Sequence, residues 1–215
     1  MAAILTVTPA ASLAANHPSV QRVTRNAFAY VPTSAASPAP LVVLLHGLGG
    51  DARSFLSQFK RDADDRGIIL LSVQSSADTW PKRPPNDSEA DVANIKAAVA
   101  QISAKAAVDP RRTTVMGFSD GASYALTVGL AFSDLFPRIV AFSPGYGIGP
   151  PLLDTKQRIF IAHARHDPIL PASNTKQMAE ALERAGYAPE IHWFNGGHAI
   201  DRDMKKAAFD FATAP

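Results

Sequence analysis

Thr113-Thr114-Val115-Met116-Gly117-Phe118-Ser119-Asp120-Gly121-Ala122-Ser123-Tyr124-Ala125-Leu126 passes from a strand pattern to a helix pattern through one tight turn. Residues 113–116 are β-branched or apolar, as a buried strand requires, and residues 121–131 continue in a small, apolar, helix-compatible run. The turn itself, Gly117-Phe118-Ser119-Asp120-Gly121, has the form G-x-S-x-G. In that form a serine sits on a strained bend with its hydroxyl lifted above the strand end, and the flanking glycines relieve crowding. A buried serine in a glycine-lined helix contact explains the glycines equally well. Partners elsewhere in the chain have to decide between the two.

The same rhythm extends in both directions. Short runs rich in Val, Ile and Leu at 41–45, 68–73, 113–116, 139–142, 159–162 and 190–194 read as strands. Segments with helical spacing at 52–66, 89–107, 121–131, 173–185 and 201–211 lie between and after them. Most of the strand runs are continuously apolar, the mark of strands covered on both faces. Sustained alternation of this kind argues an α/β fold, a mostly parallel sheet with right-handed crossovers and helices on both faces. Upstream, residues 22–31 offer an antiparallel edge strand or hairpin, closed by the Pro- and Ala-rich stretch 32–40. No linker, charge block or repeat divides the chain, so residues 1–215 read as one domain with 1–40 as its N-terminal segment.

Composition narrows the function classes. With 215 residues, 47% hydrophobic and 19% charged, the chain has globular proportions. Its net charge of +2 comes from scattered basic residues, so a nucleic-acid partner is not expected. The absence of cysteine excludes disulfides, Cys-ligated zinc and a cysteine nucleophile. No apolar run approaches the roughly 18 residues that span a bilayer, and no membrane insertion is expected. Residues 1–15 lack a basic start and are interrupted by Thr6, Thr8 and Pro9. A retained, cytoplasmic N-terminus is therefore expected, with secretion as the alternative.

Ligands of such sheets bind beyond the C-terminal ends of the strands. The two long connections at 75–88 and 143–157 leave those ends and are candidates to shape a site. A serine nucleophile needs an imidazole within hydrogen-bond reach, oriented by a carboxylate. His198, in Gly196-Gly197-His198, follows the strand at 190–194, and Asp167 follows the strand at 159–162. The order Ser119, Asp167, His198 suits a strand-turn-helix nucleophile.

Of the other histidines, His17 lies in the opening segment and His192 falls mid-strand. His163 and His166 precede Asp167 on its own loop, where a structural role is expected. They also suggest a metal pair, but no H-E-x-x-H helix accompanies them and no metal is expected. Asp167 before Pro168 also fits a plain turn, which leaves Asp154 and Asp201 as alternative acids. His46-Gly47-Leu48-Gly49-Gly50 closes the strand at 41–45, where the Leu48 N–H is placed to meet an oxyanion. The second donor is the Asp120 N–H, at the start of the helix after Ser119. A dinucleotide loop is excluded because Ala52 stands where G-x-G-x-x-G requires its third glycine. Asp62, Asp64 and Asp65, interleaved with Lys60, Arg61 and Arg66, read as a solvated helix face.

Four ordered blocks resemble the phospholipase/carboxylesterase family of small α/β-hydrolases, which includes acyl-protein thioesterases. They are Leu45-His46-Gly47-Leu48-Gly49-Gly50, Gly117-Phe118-Ser119-Asp120-Gly121-Ala122, His166-Asp167-Pro168-Ile169-Leu170-Pro171 and Gly196-Gly197-His198. The resemblance implies a Ser119, Asp167, His198 triad with Leu48 and Asp120 as main-chain oxyanion donors. It departs from the thioesterase branch at Asp120, where that branch usually has glutamine, and in the loop Thr79-Trp80-Pro81-Lys82-Arg83-Pro84-Pro85.

The connection between Phe142 and Ile159 is too short for a cap domain, so a shallow site is expected, with Trp80, Ile169 and Leu170 lining a groove. The expected activity is a serine carboxylesterase cleaving small to medium acyl esters through an acyl-enzyme. It needs no cofactor, takes a small-molecule ester, and works as a monomer or homodimer. Thioesterase or lysophospholipase action on longer acyl chains is the alternative within the resemblance. A non-catalytic binding module is the alternative outside it.

Overall fold

The computed structural model describes residues 18–82, 89–146 and 157–214. They form one eight-stranded sheet in the order β1-β2-β4-β3-β5-β6-β7-β8. Its strands are β1 (Gln21–Thr24), β2 (Ala27–Tyr30), β3 (Ala39–Leu45), β4 (Ile69–Val73), β5 (Val108–Phe118), β6 (Arg138–Phe142), β7 (Arg158–Ala164) and β8 (Glu190–Phe194). The helices are α1 (Ala52–Ser57), α2 (Lys60–Arg66), α3 (Ala90–Lys105), α4 (Asp120–Ala131), α5 (Ala172–Arg184) and α6 (Arg202–Thr213). The expected upstream hairpin is present: β1 and β2 pair antiparallel, and β2 adds antiparallel to β4. Every other pairing is parallel.

Alternation of side chains through the pleat sends each strand's residues into two separate cores. Leu41, Val43 and Leu45 of β3 pack with Val92 and Ile95 of α3, Tyr124 and Leu126 of α4, and Met178 and Leu182 of α5. Val42 and Leu44 pack on the other face with Phe55 and Leu56 of α1, Phe59, and Phe209 and Phe211 of α6. Both faces are thereby closed, which is why the strands read as unbroken apolar runs. Among the described residues, no helix is long and apolar enough to cross a membrane.

Two elements differ from expectation. The helix expected over 52–66 breaks at Gln58 and Phe59, whose N–H groups bond three residues back to Phe55 and Leu56. The break turns the fully buried Phe59 ring onto Phe55 and Phe209, with centroids 5.0 and 5.8 Å away, so packing outweighs helix continuity. β5 begins at Val108, five residues before the expected strand, and includes Pro110. Its register with β3 shifts between the Ala39–Val108 and Leu41–Thr113 pairs. Proline is tolerated at such an irregularity because no regular ladder bond is required there.

The chain moves from β3 outward to β4 on one side, then returns to place β5 on the other. The order of connection therefore reverses between β3 and β5, which opens a crevice at their C-terminal ends. The turns that follow those two strands contain His46 to Gly50 and Ser119.

Candidate active site

Ser119 occupies the turn from β5 to α4 with φ 56° and ψ −117°. Only Ser119 and Ser143 have positive φ among the described non-glycine residues. Such a conformation costs on the order of 1–3 kcal/mol, which the surrounding structure must hold in place. Here the bend is enforced from both sides. The Ser119 N–H donates to Phe142 O at 2.8 Å, and the Ala122 and Ser123 N–H groups donate to Ser119 O. A Cβ at Gly117 would collide with the Gly121 carbonyl, and one at Gly121 with the carbonyls of Leu45 and His46. Both glycines of the motif thus permit close backbone approach, as the sequence suggests.

His198 reaches Ser119 from the loop after β8, and its Nε2 lies 2.8 Å from Ser119 Oγ. Its Nδ1 lies 2.7 Å from Asp167 Oδ2, on the loop after β7. Because the carboxylate can only accept, Nδ1 carries the proton and Nε2 is left to accept from the Ser119 hydroxyl. The Phe118 ring packs 4.9 Å from the imidazole. The second oxygen of Asp167, Oδ1, accepts the Ile169 and Leu170 N–H groups at 2.8 and 2.9 Å. Burial alone would raise the Asp167 pKa, but the Leu170 N–H, the His198 contact and the Ile169 N–H together hold it below the ordinary carboxylate value.

The His46 to Gly50 turn lies directly against Ser119, since a Cβ on Gly47 would sit 3.5 Å from Ser119 Cβ. His46 is buried and shapes this turn. Its Nδ1–H donates to Gly47 O at 2.7 Å, while Nε2 accepts from the Ser75 N–H at 3.2 Å and from Gln74 Nε2 at 3.0 Å. The Gly49 and Gly50 N–H groups turn inward to Asp78 O and Gly47 O. The Leu48 N–H makes no backbone hydrogen bond among the described residues, and the Asp120 N–H lies in the first turn of α4, where donors lack helical partners.

The side chain of Asp120 ties two loops to the elbow. Oδ2 accepts from Thr79 Oγ1 at 2.7 Å and from the Trp80 N–H at 2.9 Å, and Oδ1 faces the Tyr146 hydroxyl at 3.3 Å. Burial, followed by the Asp120 charge, raises the Tyr146 pKa well above its ordinary value, so the hydroxyl remains a donor. Ser123 Oγ adds a second anchor by accepting the Gly145 and Tyr146 N–H groups. None of Thr79, Ser123 and Tyr146 carries a motif signal. Their roles follow from where the loops return, which local sequence does not specify.

Several expectations require correction. Trp80 is fully buried and does not line a groove. Its indole N–H donates to His46 O at 2.7 Å and its ring stacks on Tyr124 at 5.0 Å, so it supports the His46 turn from beneath. His163 is not on the loop: it belongs to β7 and is fully buried. Ile169 is 64% exposed and Leu170 is half-buried against Gly145, both beside Asp167. Asp201 caps α6, accepting the Asp203 and Met204 N–H groups, while the carboxylate at His198 Nδ1 is that of Asp167. Asp154, His17 and most of the connection at 143–157 lie outside the described residues. Asp62 pairs with Arg66 and Lys205 with all three side chains largely covered, so this part of the helix face is less solvated than expected, while Arg61 and Asp65 are exposed.

Residues 65–214 match the dienelactone hydrolase family, a span that contains Ser119, Asp167 and His198. The chain belongs to the dienelactone hydrolase family. Proteins of similar sequence include esterase YpfH of Escherichia coli, 31% identical over 104 residues that cover 48% of this chain and 45% of that protein. The chain spans 32% to 45% of the length of the curated relatives it matches. The crystal structure of esterase PE8 superposes with a TM-score of 0.64 at 27% identity, covering 85% of this chain and 95% of that one. A phospholipase/carboxylesterase from Dyadobacter fermentans superposes with a TM-score of 0.63 at 20% identity, covering 94% of this chain and all of that one, and so shares the fold. The four sequence blocks thus point to the correct fold, and the matching family model is that of the dienelactone hydrolases.

The carboxylates at hydrogen-bonded positions also set an acid limit for this fold. Asp51, Asp109 and Asp210 all lie below the ordinary carboxylate pKa: the first chiefly through the Ser54 N–H, the second through Arg112 and the third through Lys206. With Asp167, these groups bind protons less readily folded than unfolded. Their contribution is complete above the unfolded value of about 3.9 and is lost as pH falls through the lower folded values. The melting temperature is expected to be insensitive to these four groups between pH 5 and 7, and to fall as pH drops below about 4. Thermal unfolding followed by circular dichroism across that range checks this.

Proposed function

We propose that the chain is a serine carboxylesterase that cleaves small to medium acyl esters through an acyl-enzyme. The observation that carries this reading is the unbroken hydrogen-bond line from Ser119 Oγ through His198 to Asp167, with distances of 2.8 and 2.7 Å. His198 Nε2 takes the Ser119 proton as Oγ attacks the ester carbonyl, and Asp167 stabilises the imidazolium that forms. The Leu48 and Asp120 N–H groups receive the oxyanion, at the point where negative charge develops. Collapse expels the alcohol, which takes the proton from His198. Water then attacks the acyl-enzyme by the same route, returning Ser119 and releasing the acid. Three side chains, two main-chain N–H groups and one water supply every step.

Ile169 and Leu170, beside Asp167, are the groove residues for the bound ester. The exposed Leu48 and Ile169 side chains favour a second reading, since 69% and 64% exposure of large apolar groups beside the site suits a longer acyl chain. That reading is thioester or lysophospholipid hydrolysis with the same triad. A series of p-nitrophenyl esters from acetate to palmitate separates the two. The proposal requires kcat/KM to peak between acetyl and hexanoyl, a palmitoyl maximum supports the longer-chain reading, and no turnover of any ester removes both.

A further inference from the structure

The triad is backed by a second imidazole that the reaction scheme does not use. His163 and Asp167 have side chains wholly removed from solvent, and His163 Nε2 lies 2.9 Å from Leu170 O and 3.5 Å from Asp167 Oδ2. A carbonyl can only accept, so Nε2 carries the ring proton. Nδ1 is then an acceptor, and the Thr175 hydroxyl on α5 donates to it at 2.7 Å. Thr175 is itself fully buried. The ring therefore joins three elements at one point: the end of β7, the acid loop and α5.

Leu170 is the critical link. Its N–H donates to Asp167 Oδ1, while its carbonyl accepts from His163. His163 thus holds the far side of the residue that holds the acid. The orientation of Asp167 Oδ2 toward His198 depends on Oδ1 staying on the Ile169 and Leu170 N–H groups. A buried donor with a fixed tautomer is a stiff means of keeping it there, because releasing the ring would strand three polar groups away from water.

Resting on the serine-esterase reading above, we propose that His163 is a positioning residue for that reaction, fixing the Asp167 carboxylate through Leu170 with its tautomer set by Thr175. It touches neither substrate nor the reacting atoms. Its effect falls on the transition state, where the Asp167 to His198 alignment matters, and not on ester binding.

The test compares His163→Leu, His163→Gln and Thr175→Val with the wild-type chain, using kcat and KM for p-nitrophenyl acetate per folded chain. It also follows the far-downfield proton resonance of His198 Nδ1–H. A misplacement near 1 Å costs about 10²-fold in rate, so His163→Leu should lose about that factor in kcat with KM within about twofold. His163→Gln, which keeps an N–H donor, should recover most of the loss, and Thr175→Val should show a smaller loss in the same direction. The resonance should shift or broaden in the leucine variant and return in the glutamine variant. A kcat per folded chain within twofold of wild type in both His163→Leu and Thr175→Val, with an unshifted resonance, overturns the proposal. So does a glutamine variant no better than leucine, because a packing role alone does not require a donor. If His163→Leu does not fold, His163→Gln and Thr175→Val decide by the same criteria. Failure of the wild-type chain to turn over any ester defeats the esterase reading instead, and the resonance comparison still decides whether His163 orients Asp167.

Discussion

Ser119→Ala is expected to lower kcat/KM for short p-nitrophenyl esters by roughly 10⁶, the scale seen when the nucleophile of a serine triad is removed. The loss should fall on kcat. On the proposed mechanism the attacking oxygen is removed, while the His46 to Gly50 turn and the N-terminus of α4, the proposed oxyanion donors, are left in place. The fold should be unaffected, because the elbow's φ of 56° is imposed by backbone hydrogen bonds to Phe142 and from Ala122 and Ser123. Alanine accepts that conformation at a cost similar to serine's. Steady-state kinetics with matched circular dichroism spectra measures this. Residual activity within a hundredfold of wild type would assign the nucleophile elsewhere.

Asp167→Asn should cost about 10⁴ in kcat with KM little changed, and here the geometry supplies the reason. The Ile169 and Leu170 N–H groups both require an acceptor at the Oδ1 position, which fixes the amide oxygen there. The amide NH₂ is then directed at His198 Nδ1, 2.7 Å from the position of Oδ2. A donor at that point selects the tautomer with its proton on Nε2, which cannot accept from Ser119. The variant is thus poisoned through its tautomer while its shape is preserved. Asp201→Asn is the matched control: it keeps an α6 cap and should retain activity within a few-fold. Equal losses in the two variants would contradict the assignment of the acid.

The order of chemistry-bearing residues was legible because each follows a strand in chain order. A motif that needs glycines for close backbone approach announces the turn at Ser119, and chain order then brings Asp167 and His198 to the same sheet edge. What remained hidden depends on long-range return of the loops. Trp80 looks like a rim residue in a Pro-rich loop, yet its side chain is buried and its indole satisfies the His46 carbonyl. His163 reads as part of the acid loop because the sequence gives no sign that β7 continues to Ala164. Tyr146 and Thr79 meet at Asp120 from loops 67 residues apart in sequence. The break at Phe59 arises from packing against α6, well beyond any local helical pattern.

Covalent labelling by a fluorophosphonate probe, read by intact mass in wild type and Ser119→Ala, tests whether Ser119 is an activated nucleophile. The probe reacts with a serine only when a neighbouring base activates it. A single stoichiometric adduct is expected on the wild-type chain, located at Ser119, and none on the variant. An unlabelled wild-type chain, or an adduct that persists in Ser119→Ala, would contradict it.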